Sequence, residues 1–141
     1  MTLLPEKTKR LGFGLMRLPV LNGNDEQIDL EQVNRMVDHF LDQGFTYFDT
    51  AYPYHYGFSE RTVKSALVAR YPRESFLLAD KMPIFRISKP EDVPSTFAEQ
   101  LEKTGSGYFD MYLLHAMNAD RLKTVKDCRA WEYLQIGRAH V

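Results

Sequence analysis

The apolar residues of this chain follow two spacings in turn, and their alternation predicts strands separated by helices. Between residues 29 and 43 the apolar side chains recur every three or four positions, which places them on one face of a helix. Short and almost continuous apolar runs, which are typical of buried parallel strands, precede and follow that segment. The predicted strands cover residues 10–15, 45–49, 76–81 and 111–115.

Polar and glycine residues mark the ends of the predicted helices. Asp29 can cap the first helix at its start, and Gly44 stands where a glycine commonly ends a helix. The predicted helices cover residues 29–43, 59–70, 90–103 and 120–135. Alternating strands and helices predict an α/β fold in which helices cover a parallel sheet. Both an open doubly wound sheet and a (β/α)8 barrel are compatible with this pattern.

Three of the predicted strands end on a side chain that can ionise or form hydrogen bonds. Asp49, Lys81 and His115 take these places, at spacings of 32 and 34 residues, which is the length of one strand–helix unit. The carboxyl ends of parallel strands lie at one edge of the sheet, where active sites form. Tyr54 follows Asp49 by five residues and can fold back over the same edge. We therefore expect these four side chains to converge.

Together, these four residue types can transfer a proton. A nearby ammonium group favours the ionised form of a phenol, which would let Tyr54 pass a proton at neutral pH. Asp49 can hold the ammonium charge of Lys81, and His115 can hydrogen bond to a substrate oxygen. A single aspartate, lysine or histidine at a strand end is more often a structural residue, so the hypothesis depends on the four together.

Four segments resemble the signature of the aldo/keto reductase family. The most distinctive segment reads FDTAYPY at residues 48–54, with Ser59 and Glu60 after it. It resembles the family's Asp-Thr-Ala, its tyrosine five residues after the aspartate and its downstream acidic residue. The segments ADK at 79–81 and DMYLLH at 110–115 resemble the family's lysine strand and its Asp-x-Tyr-Leu-x-His strand. The first strand of the family's barrel resembles LGFGLMR at 11–17.

This resemblance implies a TIM barrel, of which the chain would form the N-terminal half. It also implies NADP(H)-dependent reduction of an aldehyde or ketone to an alcohol, with NAD(H) as the alternative cofactor. The resemblance assigns Tyr54 as the proton donor and His115 as the residue that orients the substrate. It assigns Asp49 and Lys81 as the pair that tunes the tyrosine. The residues that it assigns to the cofactor are Gly14, Leu15, Met16 and Asp49.

The segment after His115 departs from the usual family pattern. It reads AMN at residues 116–118, where many members have Trp-Pro. Together with MRLP at 16–19 and YPYH at 52–55, this segment resembles a bacterial subgroup whose longer members carry a C-terminal iron–sulfur segment. Because Cys128 is the one cysteine of the chain, an iron–sulfur cluster would require a further C-terminal segment.

Composition narrows the classes of function. The 141 residues carry 18 Lys and Arg against 19 Asp and Glu, and the net charge of -1 argues against a dedicated nucleic-acid binder. No apolar run approaches the ~20 residues that span a bilayer, and the first residues do not resemble a signal peptide. One cysteine excludes an intrachain disulfide framework and a multi-cysteine zinc site. We expect a cytoplasmic protein without a metal, whose partner is a small carbonyl compound and which has no specific protein partner.

The C-terminal residues break the pattern. A barrel of this type has eight strand–helix units in about 250 residues, and this chain contains roughly four. The last six residues, IGRAHV at 136–141, resemble a translated sequencing adapter. We therefore expect residues 1–135 to be a partial reductase barrel and residues 136–141 to be a non-native tail. Because an open half barrel exposes its sheet edges, we expect the isolated chain to be insoluble, partly ordered or associated, and nearly inactive.

Two other functions remain open from the sequence. A regulatory subunit would keep a reductase-like barrel and bind a nicotinamide cofactor without turning over a substrate. A truncated product would have no function of its own. Turnover, cofactor binding without turnover, and the absence of both distinguish the three hypotheses.

Overall fold

A computed structural model describes residues 5–136 and contains a sheet of four parallel strands. The strands lie in the order β1-β2-β3-β4, so each strand pairs with the next one along the chain. Their bounds are Gly12–Gly14 for β1, Tyr47–Asp49 for β2, Leu77–Met82 for β3 and Met111–Leu114 for β4. A doubly wound sheet reverses its strand order at a switch point, whereas a barrel does not. The sequential order therefore selects the barrel topology.

Between residues 5 and 136, five α-helices connect or follow these strands. Their bounds are Leu30–Asp42 for α1, Phe58–Val63 for α2, Asp92–Thr104 for α3, Ala119–Asp127 for α4 and Ala130–Ile136 for α5. The α2 helix continues as a π-helical turn over Lys64–Val68. Asp29 caps α1 as predicted, because its side chain accepts a hydrogen bond from the Gln32 N–H. Gly105 ends α3 in the left-handed conformation that glycine adopts without strain.

The structure corrects several predicted element bounds. The single helix predicted over residues 120–135 is two helices, because Arg129 lies between them with a positive φ of 54°. The third helix begins at Asp92 rather than at residue 90, with Glu91 as its cap. The strands are shorter than the apolar runs that predicted them, except that β3 extends to Met82. The predicted non-native tail, apart from Ile136, lies outside the described residues.

The two faces of the sheet have different roles. Phe48, Leu78 and Met82 are fully buried on the face that the helices cover, and Asp80 shares that face. The alternate residues Asp49, Ala79 and Lys81 lie on the opposite face, which corresponds to the inside of a barrel. Both predicted ionisable residues of β2 and β3 therefore point into the same space.

Aromatic packing fixes the end of β2. The Phe48 ring is fully buried and lies 5.2 to 6.0 Å from the rings of Phe13, Phe40 and Phe76, measured between centroids. Phe40 comes from α1 and Phe13 from β1, and Phe76 directly precedes β3, so these three elements meet at this ring. Because Asp49 is the next residue, this core holds its backbone in place at the edge of the sheet. A second core cluster, which contains Met82 and Val93, packs α3 against β3.

Candidate active site

The Lys81 ammonium is the centre of the predicted site. Its Nζ donates hydrogen bonds to Asp49 Oδ1 at 2.5 Å and to the Thr50 carbonyl at 2.7 Å. A third, longer contact of 3.4 Å joins Nζ to the Tyr54 hydroxyl. The side chains of Lys81 and Asp49 are 13% and 29% exposed, so this ion pair is sheltered from solvent. A sheltered pair interacts more strongly than one on the open surface.

A tight turn after β2 brings Tyr54 back to the sheet edge. The Tyr54 N–H donates to the Ala51 carbonyl at 3.1 Å, and a 3₁₀ turn over Tyr54–Gly57 follows. The Tyr54 ring lies with its centroid 4.9 Å from Lys81 Nζ. The expected return of the tyrosine to the Asp49 edge is therefore present in the structure.

His115 completes the group from the end of β4. Its N–H donates to the Met82 carbonyl at 3.0 Å, which places the residue directly after the strand. Its ring meets the Tyr54 ring edge-on, with 5.9 Å between centroids. Burial, followed by the charges of Lys81 and Arg121, lowers the pKa of His115, whereas Asp49 acts in the opposite direction. The imidazole therefore stays neutral to a lower pH than an ordinary histidine.

Tyr54 and His115 both face an open cavity of about 340 Å³. The cavity is lined by Met16, Asp25, Pro53, Tyr54, His55, Tyr56 and His115. A volume in this range suits a small ligand. The arrangement leaves the phenol and the imidazole accessible to one bound molecule.

The three predicted cofactor residues at the end of β1 and in the turn after it differ in their exposure. Gly14 has open space beside it, since no heavy atom lies within 4 Å of the position that a Cβ would take. Met16 is 55% exposed and lines the cavity. Leu15, by contrast, is buried in the core, and its N–H donates to the Asp49 carbonyl at 2.9 Å. The Leu15 side chain thus supports the turn from below, whereas Gly14, Met16 and Asp49 lie beside the open face. The assignment of these four residues to a cofactor stays a prediction.

The residue after the tyrosine, His55, is one that the sequence reasoning missed. His55 Nε2 accepts a hydrogen bond from the Leu18 N–H at 2.9 Å, and Nδ1 lies 3.0 Å from the Asp25 carbonyl. Because Nε2 accepts, Nδ1 carries the hydrogen and donates to Asp25. His55 and the residue after it have φ values of 50° and 52°, in the left-handed region that non-glycine residues seldom adopt. His55 therefore ties the Tyr54 turn to the loop after β1.

Two buried hydroxyl groups form a second tie beneath the site. Thr50 Oγ1 and Ser59 Oγ lie 2.8 Å apart, and the Ser59 hydroxyl donates to the Leu15 carbonyl at 3.1 Å. Thr50 and Ser59 are fully buried. The Asp-Thr-Ala segment, the start of α2 and the first turn are thus connected by side chains that the sequence showed only as part of a motif.

Comparison with known sequences identifies the family of this chain. The sequence model of the Aldo/keto reductase family matches residues 10–136. The chain therefore belongs to the aldo/keto reductase family, and its four strands are the N-terminal half of the (β/α)8 barrel. Among curated proteins it is similar to the aldo-keto reductase YhdN of Bacillus subtilis, with 27% identity over 118 residues. That match covers 77% of this chain and 34% of YhdN.

Solved structures show the same fold. The holo form of aldo-keto reductase AKR11C1 from Bacillus halodurans matches with a TM-score of 0.70 and 27% identity. The match covers 90% of this chain and 42% of the Bacillus halodurans protein. An aldo-keto reductase from Klebsiella pneumoniae in complex with NADPH matches with a TM-score of 0.62 at 22% identity, covering 85% of this chain and 41% of that one. The chain thus spans less than half the length of these relatives.

Two further findings concern residues 5–136. Within that range, the structure has no group of three or more His, Cys, Asp or Glu residues arranged to hold a metal ion. Over the same residues, none of the helices combines the length and the apolar character that a bilayer crossing requires.

Proposed function

We propose that this chain supplies the catalytic residues of an NADP(H)-dependent reductase that converts an aldehyde or ketone to an alcohol. The observation that carries the proposal is the contact of one ammonium group, on Lys81, with both Asp49 and Tyr54, the latter of which lines an open cavity. Membership of the aldo/keto reductase family supports the same chemistry. The partner that we propose is a small carbonyl compound, and the reducing cytoplasm is the proposed compartment.

Tyr54 is the proposed proton donor. When the phenol gives its proton to the substrate oxygen, the phenolate that forms lies 3.4 Å from the Lys81 ammonium. That positive charge stabilises the phenolate in a sheltered position, where the attraction is stronger than in bulk water. Asp49 holds Lys81 in place through their ion pair. Because its negative charge lies beside the ammonium, it also limits the energetic cost of burying that group.

His115 is the proposed substrate-orienting residue. Its imidazole stays neutral at pH 7 because burial and the nearby Lys81 charge lower its pKa. A neutral imidazole can donate one hydrogen bond to a carbonyl oxygen without adding a second positive charge beside Lys81. Since His115 and Tyr54 border the same cavity, one oxygen atom can lie within reach of both.

The open space above the first turn fits the nicotinamide end of a cofactor. Gly14 has no heavy atom within 4 Å of a Cβ position, and Met16 borders the cavity that Tyr54 faces. Gly14 and Met16 would therefore hold the nicotinamide end of the cofactor, on the face of the sheet that carries Asp49. When bound, the cofactor supplies the hydride that reduces the carbonyl carbon. We name NADP(H) first because a structurally similar reductase, from Klebsiella pneumoniae, was solved in complex with NADPH.

A barrel chimera tests this proposal. In this protein, residues 10–136 replace the corresponding N-terminal part of the Bacillus halodurans reductase, so that the missing half of the barrel is supplied. We expect the barrel chimera to oxidise NADPH when a small aldehyde is added. Binding of NADPH without turnover would instead indicate the non-catalytic, cofactor-binding function. Neither binding nor turnover by a folded chimera would refute both.

A further inference from the structure

Two acidic side chains are buried side by side directly behind Lys81. Glu60, from α2, and Asp80, from β3, have no exposed surface, and they lie on the helix-covered face of the sheet. Beyond the effect of burial, the charge of Glu60 raises the pKa of Asp80, so the two carboxyl groups lie close together. Burying two like charges together is strongly unfavourable, so this pair requires an explanation.

The acid pair belongs to a network that holds the backbone of Lys81. Pairing between β2 and β3 ends at Asp49 and Ala79, so the next residue of β3 that faces β2 is Lys81. At Lys81, side chains rather than a neighbouring strand form the hydrogen bonds of the backbone N–H and carbonyl groups. The Lys81 N–H donates to Asp80 Oδ1 at 2.7 Å, and the Lys81 carbonyl accepts from Gln100 Nε2 at 3.1 Å.

Gln100 connects this backbone to the rest of the network. Its Nε2 also donates to Glu60 Oε1 at 2.8 Å, and its Oε1 accepts from the Tyr112 hydroxyl. Gln100 is itself fully buried, on the face of α3 that packs against β3. Since the amide is saturated by these partners, its orientation is fixed.

The positive charges around Glu60 and Asp80 compensate for one ionised carboxylate of the pair. Lys103 Nζ lies 3.5 Å from Glu60 Oε2, and it is shared with Glu99 at 2.6 Å. The groups that face the pair are Lys81 from β3, Lys103 and Glu99 from α3, and Tyr112 from β4. Burial is the main cause that raises the pKa of Asp80, and the Glu60 charge adds to it. Burial also raises the pKa of Glu60, although Gln100 and Lys103 oppose that shift.

Two oxygen atoms of the pair show where a hydrogen is needed. Asp80 Oδ2 is buried without a hydrogen-bond partner among the described residues, and the nearest recorded donor to the buried Glu60 Oε2 is the Lys103 ammonium at 3.5 Å. A proton on Asp80 Oδ2 gives that oxygen a hydrogen to donate, and the neighbouring Glu60 carboxylate is an acceptor. The same proton removes the repulsion between two buried charges.

We propose that Asp80 is protonated at neutral pH, donates a hydrogen bond to Glu60, and in this neutral form is a positioning residue for Lys81. The proton resides on Oδ2, which leaves Oδ1 to accept from the Lys81 N–H. Glu60 remains the anion that faces Lys103. The positioning role of Asp80 rests on the proposed reductase function, because it concerns the position of Lys81 relative to Tyr54. The protonation of Asp80 does not depend on that function.

Infrared spectroscopy of the barrel chimera, in which residues 10–136 lie within a complete barrel, tests the proton directly. We expect a carbonyl stretch of a protonated carboxyl group at about pH 7, far above the ordinary titration range of aspartate. Asp80→Asn should remove this band, and Glu60→Gln should leave it, since Asp80 then donates to an amide oxygen. Absence of the band from the parent chimera would overturn the proposal. Loss of the band in Glu60→Gln but not in Asp80→Asn would also overturn it. Asp42→Asn, at an exposed position, is the matched control.

The barrel chimera tests the positioning role. Asn is neutral like the protonated acid and can donate to Glu60, so Asp80→Asn should keep kcat within about threefold. Asp80→Ala should lower kcat by about 10- to 100-fold with KM nearly unchanged, because Lys81 loses a backbone partner. Equal losses in the two variants would refute the positioning role. An inactive parent chimera would refute the proposed function instead, and the infrared result would still decide the protonation.

Discussion

Replacement of His55 by alanine is expected to loosen the turn that carries Tyr54. The histidine joins two loops through the Leu18 N–H and the Asp25 carbonyl, at 2.9 and 3.0 Å. Its ring is buried, and it holds a left-handed backbone at its own position and at Tyr56. Removing the ring leaves that backbone without the bonds that stabilise it.

The energetic effect of the His55→Ala substitution can be worked out from the two hydrogen bonds that are lost. Leu18 is buried, so its unpaired N–H costs about 1–3 kcal/mol. Asp25 is exposed, so its carbonyl recovers a bond to water at little cost. Each strained left-handed residue stores a further ~1–3 kcal/mol, which favours relaxation of the turn once it is released. If relaxation moves Tyr54 away from Lys81, the population of the active arrangement falls by about 5- to 150-fold.

The assay compares two variants of the barrel chimera. His55→Ala should lower kcat for aldehyde reduction within the 5- to 150-fold range, about 1–3 kcal/mol, while NADPH binds as before. His55→Gln is the matched control, because its amide can accept from Leu18 and donate to Asp25. We expect it to restore most of the lost activity. Equal kcat in His55→Ala and the parent protein would refute this reasoning.

Two other substitutions test the site and the fold. Because burial and the Lys81 charge lower the pKa of His115, kcat/KM of the chimera should stay level as the pH falls through about 6.5 and decrease only below it. His115→Gln should remove that acid limb, and an inflection at the ordinary histidine pKa would contradict the assignment. Arg73→Ala should lower the free energy of unfolding by about 1.5–3 kcal/mol, because its guanidinium pairs with Asp110 at 2.7 Å and stacks on the Tyr108 ring at 3.7 Å. Denaturant titration of the chimera measures this loss. Arg73→Lys should recover only part of the lost stability.

The sequence was sufficient for the parts of the site that follow from strand geometry. Asp49, Lys81 and His115 were predicted to meet because parallel strands end at one edge, and the structure places them there. The helix pattern likewise predicted α1 with its Asp29 cap. These features depend on local spacing and on one topological rule, so they can be derived without knowing the tertiary contacts.

Other features depend on contacts between distant residues, and the sequence did not reveal them. The positive φ values of His55 and Arg129 are uncommon for residues other than glycine, and nothing in the local sequence marks these two positions. Gln100 is fully buried because it meets Lys81 and Glu60, which lie 19 and 40 residues away. Asp80 did carry a signal. By strand alternation it had to face the helices, where a charged side chain needs a partner or a proton.

The activity of Tyr54→Phe in the barrel chimera tests the central claim most directly. This substitution removes one hydroxyl group and keeps the ring that packs beside His115. We predict that kcat for aldehyde reduction falls by about 10²- to 10⁴-fold, as expected for the loss of a general acid. The affinity for NADPH should stay unchanged, which shows that the barrel is intact. Reduction at the parent rate by a variant that still binds NADPH would contradict the assignment of Tyr54 as the proton donor.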